Sequence, residues 1–223
     1  MIKLKEITKD FYDGDTRVNV LKSTDLSIEP KEFVAIVGPS GSGKSTLLTI
    51  IGALQNPTSG SVKIDGEDIS DLDAKDAADL RFRSIGFILQ GSNLVPFLTV
   101  YEQFQMKMKQ ATIKDYDKTI DDMLEVLGID DLRHKYPDEI SGGERQRVAV
   151  GLALILKPQI ILADEPTASL DSEKAYQVVE MLSSISKKQA ASVIMVTHDK
   201  RMLSYCDRVF TMDDGVFSLD EDI

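Results

Sequence analysis

The chain has 223 residues, 42% hydrophobic and 28% charged, which is enough apolar material for a sizeable core under a charged surface. Asp plus Glu total 37 against 26 Lys plus Arg, a formal charge of -11, which argues against a nucleic-acid protein held by a broad basic surface and against adsorption to an anionic membrane by net charge. A single cysteine, Cys206, excludes an internal disulfide or a Cys-based zinc site; with no apolar window long enough for a membrane span and no apolar secretory run after Met1, the expectation is an acidic, soluble protein of a reducing compartment.

In chain order, Ile2 to Ile28 and Ser61 to Ile69 alternate around turn signals at Asp13-Gly14-Asp15 and Asp65-Gly66. They predict a small antiparallel β layer. Phe33 to Val37 is a short apolar run that reads as a buried strand. A glycine-rich turn and a helical stretch, Thr46 to Leu54, follow it. A second apolar run, Ile85 to Leu89, ends at Gln90. From Leu98 to about Leu127 the pattern is helical, with Gly128 placed to end it. Another helix is expected from Gly142 to Leu156, before Pro158. Two more apolar runs, Ile160 to Ala163 and Ser192 to Val196, complete four candidate parallel strands. The pattern is α/β, with helices on both faces of a parallel sheet. Ligands of such sheets sit beyond the carboxyl ends of the strands, where the polar turns lie here. Asp220-Glu221-Asp222 reads as a solvated acidic tail.

Those turns carry the chemistry. Gly38-Pro39-Ser40-Gly41-Ser42-Gly43-Lys44-Ser45-Thr46 fits G-x4-G-K-[ST] between a strand and a helix. Glycines let backbone N–H groups approach phosphate oxygens, and a helix N-terminus adds partial positive charge. Lys44 is placed for terminal phosphates and the Ser45 hydroxyl for Mg²⁺. Asp164 and Glu165 end the third strand. A hard cation takes oxygen ligands, which assigns Asp164 to Mg²⁺ and leaves Glu165 to orient the attacking water. The Gln90 amide reads as a ligand of metal or water, or as a structural strand end. His198 reads as a γ-phosphate partner that holds Glu165, and His134 as a surface residue.

Ile140-Ser141-Gly142-Gly143-Glu144-Arg145-Gln146-Arg147 resembles the signature motif of ATP-binding cassette (ABC) proteins, usually written L-S-G-G-Q. The order of phosphate loop, Gln90, signature, Asp164-Glu165, Ser169-Leu170-Asp171 and His198 matches that family over nearly the whole chain. The resemblance implies a P-loop NTPase fold of ABC type with a RecA-like parallel-sheet core. The core would span residues 1–90 and 156–223, with a helical signature subdomain at 91–155. It implies ATP and Mg²⁺ as ligands and a head-to-tail dimer sandwiching two ATPs. Ser141, Gly142, Gly143 and Glu144 of one copy, with Asp171, would then serve the partner's nucleotide. Family members stack an aromatic ring on adenine. Phe11 has the usual spacing to Leu21, with Tyr12 adjacent; packing on the β layer is the alternative for both rings. Two departures are Glu144, where the family usually has Gln, and Gly151-Leu152, where it usually has Ala-Arg.

The resemblance implies a separate membrane permease as partner, a dimer of a four-span protein, and a place at the cytoplasmic face of the membrane. The segments Gly91 to Leu98, Asp164 to Asp171 and Thr197 to Arg201 are similar to the ATPases of bacterial haem-efflux exporters, within the macrolide and lipoprotein-release group. Alternatives are an exporter or sensor for antimicrobial peptides, drugs or lipoproteins, or a regulator of cell-wall enzymes without transport. A nucleic-acid partner is not expected.

Overall fold

The computed structural model describes residues 1–220. An N-terminal antiparallel layer comes first, from β1 (Ile2–Asp13), β2 (Thr16–Ile28), β4 (Ser59–Ile64) and β5 (Glu67–Asp68), in the order β2-β1-β4-β5. Its hairpins turn where the sequence signals lie. Asp13 pairs with Thr16, and Ile64 pairs with Glu67. Asp65 and Gly66 both adopt positive φ, 49° and 88°, the backbone that a two-residue hairpin loop requires.

The larger sheet contains β3 (Phe33–Val37), β6 (Ile85–Ile88), β7 (Ile160–Asp164), β8 (Ser192–Val196), β9 (Arg208–Asp213) and β10 (Val216–Leu219). Its order is β10-β9-β3-β8-β7-β6. Strands β9, β3, β8, β7 and β6 run parallel to their neighbours, and only β10 is antiparallel. The four apolar runs are therefore the parallel strands expected. The period of two divides each run between two cores. Val34 and Ile36 of β3, with Ile194 and Val196 of β8, pack toward the N-terminal layer. Phe33 and Ala35, with Val193 and Met195, pack toward the helices on the other face. Strands buried on both faces read as unbroken apolar runs for this reason.

The helices are α1 (Lys44–Ile51), α2 (Ala74–Ser84), α3 (Val100–Gln110), α4 (Asp117–Val126), α5 (Gly142–Leu154) and α6 (Ser172–Gln189). The helical stretch expected from Leu98 to Leu127 is two helices rather than one. Helix α3 starts on a reciprocal capping box between Thr99 and Glu102. It stops because Thr112 turns left-handed at φ 59°, while the N–H groups of Thr112 and Ile113 bond back to Lys109 and Met108. Helix α4 closes in the same manner at Gly128, φ 61°, as expected of that glycine. The apolar spacing alone does not show the first break. Asp220, the first residue of the expected solvated tail, is tied to the sheet. Asp220 donates its N–H to Val209 O at 2.9 Å, and its carboxylate accepts from Thr211 Oγ1 at 3.3 Å. Glu221 and Asp222 lie outside the described residues.

The Gly151-Leu152 departure has a packing basis. A Cβ on Gly151 would stand 2.5 Å from Leu127 Cδ1 and 2.8 Å from Phe104 Cζ, so glycine lets α3 and the end of α4 approach α5 closely. One residue on, Lys107 of α3 donates Nζ to the Leu152 carbonyl at 2.5 Å. Burial pulls the Lys107 ammonium below its ordinary pKa.

Candidate functional site

The chain leaves β3 and turns through Gly38 to Gly43 into α1. A Cβ on Gly38, at φ 148°, would fall 2.0 Å from the Met212 carbonyl oxygen of neighbouring β9. One on Gly43, at φ 105°, would fall 2.8 Å from both Val20 O and Leu21 Cδ2. Only glycine allows the loop to wedge between β9 and β2 at these two points. Gly43 is the N-cap of α1, where no side chain accepts from the first-turn N–H groups and no acidic residue stands in the first turn. Those donors and the positive end of the helix face the loop's hollow. Lys44 is buried, and its Nζ donates to Gly38 O at 2.9 Å and Pro39 O at 2.6 Å. Ser42, also buried, has its hydroxyl 3.4 Å from the same ammonium.

The hollow opens into a cleft of about 440 Å³. The loop contributes Gly38, Ser40, Gly41, Gly43, Lys44, Ser45 and Thr46. Gln90 lines it from the end of β6, Asp164 and Glu165 from the end of β7, and Val196 and His198 from the end of β8. The parallel register explains this convergence: Ile88 aligns with Ala163, and Asp164 with Val196. Residues just past those positions must meet at one edge of the sheet.

Glu165 has an unusual setting. Its backbone is left-handed, at φ 50°, and its N–H donates to Val196 O at 3.0 Å. This turns the carboxylate toward His198, whose Nδ1 is 2.9 Å from Oε2. The contact is at ion-pair distance without the alignment of a hydrogen bond, and buried Oε2 has no hydrogen-bond partner. The imidazole, 75% exposed, faces solvent, whereas the carboxylate is only 15% exposed.

The donor set fits a hard cation. Ser45, Gln90 and Asp164 present oxygens around one cleft, with no thiol or imidazole among them. Among the described residues no cluster of three or more His, Cys, Asp or Glu could hold a metal by itself.

Other candidate residues lie elsewhere. Ser141 caps α5, accepting from Glu144 N at 3.3 Å, while Glu144 Oε2 accepts from Ser141 N at 2.7 Å. Glu144 is therefore engaged in a capping box, which an amide could also form. Ser141 and Gly142 are exposed, Gly143 is half-buried, and none of them lines the cleft of its own chain. Asp171 caps α6, accepting from Lys174 N at 3.0 Å; that bond holds its carboxyl below the usual range. It too stands outside the cleft. Phe11 and Tyr12, 40% and 73% exposed, are near the hairpin tip and do not line the cleft. Phe11 pairs with Val18 and Tyr12 with Arg17, so the two rings project from opposite faces of the hairpin, while the cleft residue Val20 sits at a bulge between Asn19 and Leu21. His134 is exposed, as expected.

The sequence reading missed two groups. Val20 lines the cleft but carries no signal beyond strand alternation. Arg201, Asp199 and Ser172 form a polar bridge beside the site. The Asp-x-Arg spacing after His198 was its only trace.

A sequence model described as "ABC transporter" matches residues 21–168, more than half of the chain. The chain is 44% identical over 220 residues to a Staphylococcus haemolyticus protein named "Putative hemin import ATP-binding protein HrtA", covering 98% of this chain and 99% of that one. It is 44% identical over 214 residues to the protein of the same name from Staphylococcus aureus strain MRSA252, covering 95% and 96%. Among solved structures, the cassette MJ0796 as a dimer in a post-hydrolysis state bound to ADP and Pi matches with TM-score 0.92 and 36% identity over 98% of each chain. A second dimeric structure of MJ0796, described as a bacterial ABC transporter cassette, matches at 0.91 and 36%. The similar cassettes are dimers, which supports self-association here. No helix among the described residues is long and apolar enough to cross a membrane. With a phosphate loop, a strand-end Asp-Glu pair and a histidine around one cleft, the chain belongs to the ABC transporter family and is an ATP-hydrolysing ATP-binding cassette.

Proposed function

We propose that this cassette is the motor subunit of a haem exporter, working on a separate membrane permease. The observation that carries the catalytic reading is the Glu165 carboxylate held 2.9 Å from His198 Nδ1, in the same cleft as the phosphate loop.

In this reading the α1 N-terminus, the loop amides and Lys44 bind the phosphates. Ser45, Gln90 and Asp164 would hold Mg²⁺, which neutralises phosphate charge when bound. The Glu165 carboxylate accepts a proton from the attacking water and orients it. His198 keeps the Glu165 carboxylate in place and offers its exposed ring to the terminal phosphate. Phe11, which pairs with Val18, stacks on adenine, and Tyr12, on the opposite face of the hairpin, does not. Two copies sandwich two ATPs head to tail, each bringing Ser141, Gly142, Gly143 and Glu144, with Asp171, to the other's nucleotide. Residues 1–90 and 156–223 form the nucleotide-binding part, and residues 91–155 move as the helical part.

The permease contact is the segment after Gln90. Leu94, Val95 and Leu98 are half-buried there and Phe97 is 76% exposed. Gln103 pins the segment, accepting from Val95 N at 3.0 Å and donating to Val95 O at 2.9 Å. Gln146 of α5 donates to Leu89 O at 3.4 Å, next to Gln90, so movement of the signature helix reaches the cleft edge. Docking there seats the cassette at the cytoplasmic face of the membrane. The haem assignment rests on the names of the 44%-identical relatives, which say import, and the outward direction rests on the resemblance to efflux ATPases.

Glu165→Gln tests the catalytic reading. Nucleotide affinity should stay within twofold, while turnover falls about 10²- to 10⁴-fold, roughly 3–5 kcal/mol of barrier. Wild-type turnover in that variant rejects the assignment. Cargo and direction are read by deleting the gene. Increased haemin sensitivity supports export, and reduced haem uptake would reverse the direction.

A further inference from the structure

His198 and Asp171 belong to different turns, one after β8 and one before α6, and a single guanidinium joins the two. Arg201 donates Nε to Asp199 Oδ1 at 2.9 Å and NH2 to Asp199 Oδ2 at 2.6 Å, a two-pronged grip on the residue next to His198. Its NH1 donates to Ser172 Oγ at 2.8 Å, on the residue next to Asp171. The histidine side is itself anchored. Asp199 N donates to Thr197 Oγ1 at 3.0 Å, and fully buried Thr197 is tied by its N–H to Ile36 O of β3 at 3.2 Å. On the other side the Tyr176 ring of α6 lies under the guanidinium, 6.0 Å from centroid to Cζ, and packs against Tyr205.

We propose that Arg201 is a positioning residue of the ATPase, setting the His198 turn and the Asp171 turn in register with each other through Asp199 and Ser172. The inference rests on the reading that both turns serve nucleotide. Global stability is a poor explanation for the bridge, because the Arg201 side chain is 54% exposed and ion pairs in such settings stabilise little. Geometry is the better one. A planar fork fixes direction as well as distance toward two acceptors at once, which a lysine ammonium does not. Two loops joined in this way respond together: a shift of His198 on phosphate release moves Asp199, and Arg201 carries it to Ser172 and the cap of α6.

The test uses purified full-length protein and steady-state ATP hydrolysis. Arg201→Ala and Arg201→Lys should each lower kcat at least fivefold, with KM within twofold and a melting temperature close to wild type. Ser172→Ala should lower kcat as well, and the Arg201→Ala/Ser172→Ala double variant should fall no further than Arg201→Ala alone. Wild-type kcat in Arg201→Lys would overturn the proposal, as would multiplicative losses in the double variant or a kcat loss matched by a collapse in melting temperature. A wild-type protein unable to hydrolyse ATP would instead remove the reading of the cleft and this inference with it. Normal wild-type and inactive Glu165→Gln enzymes with unaffected Arg201 variants would reject this inference alone.

Discussion

Gly151→Ala sets two effects of opposite sign against each other. Alanine in a helix interior is favoured over glycine by about 1 kcal/mol, and position 151 lies well inside α5. Against this, the new methyl would meet Leu127 Cδ1 at 2.5 Å and Phe104 Cζ at 2.8 Å. Phe104 is fully buried and Leu127 nearly so, which leaves neither side chain free space to yield into. Overpacking a dense core costs about 1–3 kcal/mol, and two simultaneous clashes belong in the upper part of that range. The net effect is a loss of about 1–2 kcal/mol, or a melting temperature lower by roughly 2–8 °C for a chain of this size. Calorimetry or thermal circular dichroism measures it directly. Adding Phe104→Leu, which removes the nearer ring edge, should return part of the loss. A melting temperature raised by Gly151→Ala would refute the close-approach argument, because propensity alone would then have decided the outcome.

Three further outcomes are expected. Phe11→Ala should raise the ATP dissociation constant about fivefold, near 1 kcal/mol for losing one half-exposed stacking ring, while Tyr12→Ala stays within twofold; competition binding reads both, and the reverse ranking rejects the face assignment. Asp10 has a side chain 1% exposed that accepts from Arg17 NH2 at 2.6 Å and Asn19 Nδ2 at 2.7 Å, and the Arg17 bond is the main cause holding its carboxyl below the ordinary 3.8. A depressed carboxyl contributes stability that is present above its unfolded value and lost as pH falls through its folded one. Asp10→Asn should therefore flatten the acid limb of urea midpoints measured between about pH 2 and 6, and parallel limbs for the two proteins would contradict this. Burial, with the Asp207 charge adding to it, pushes the Cys206 thiol up to about 12. At pH 8 it should react with a disulfide reagent only after denaturation, and rapid labelling of native protein would disprove that environment.

The parallel strands and the cleft residues were legible because both follow from local chemistry. An apolar run buried on two faces has little choice but to be an inner strand, and a glycine loop between strand and helix must turn its amides inward. The same local rules placed the Asp65-Gly66 hairpin and the cap at Gly128. The break between α3 and α4 was not legible, since Thr112 in a left-handed conformation has no propensity signal and is imposed by how the ends of the two helices must meet. Nor was the meaning of Gly151-Leu152. Sequence showed two departures there, but only the tertiary contacts show that Gly151 admits Leu127 and Phe104 and that Lys107 reaches the Leu152 carbonyl.

By itself, the sequence determined the family, the strand order's raw material and which residue types surround the phosphates. Tertiary structure decided that His198 stands against the Glu165 carboxylate, that Phe11 and Tyr12 project from opposite faces of their hairpin, and that one arginine spans two loops. The physical reason is range. Composition, periodicity and motifs act over a few residues, whereas hydrogen-bond satisfaction and burial depend on neighbours tens of residues away, brought together only when the sheet registers are set.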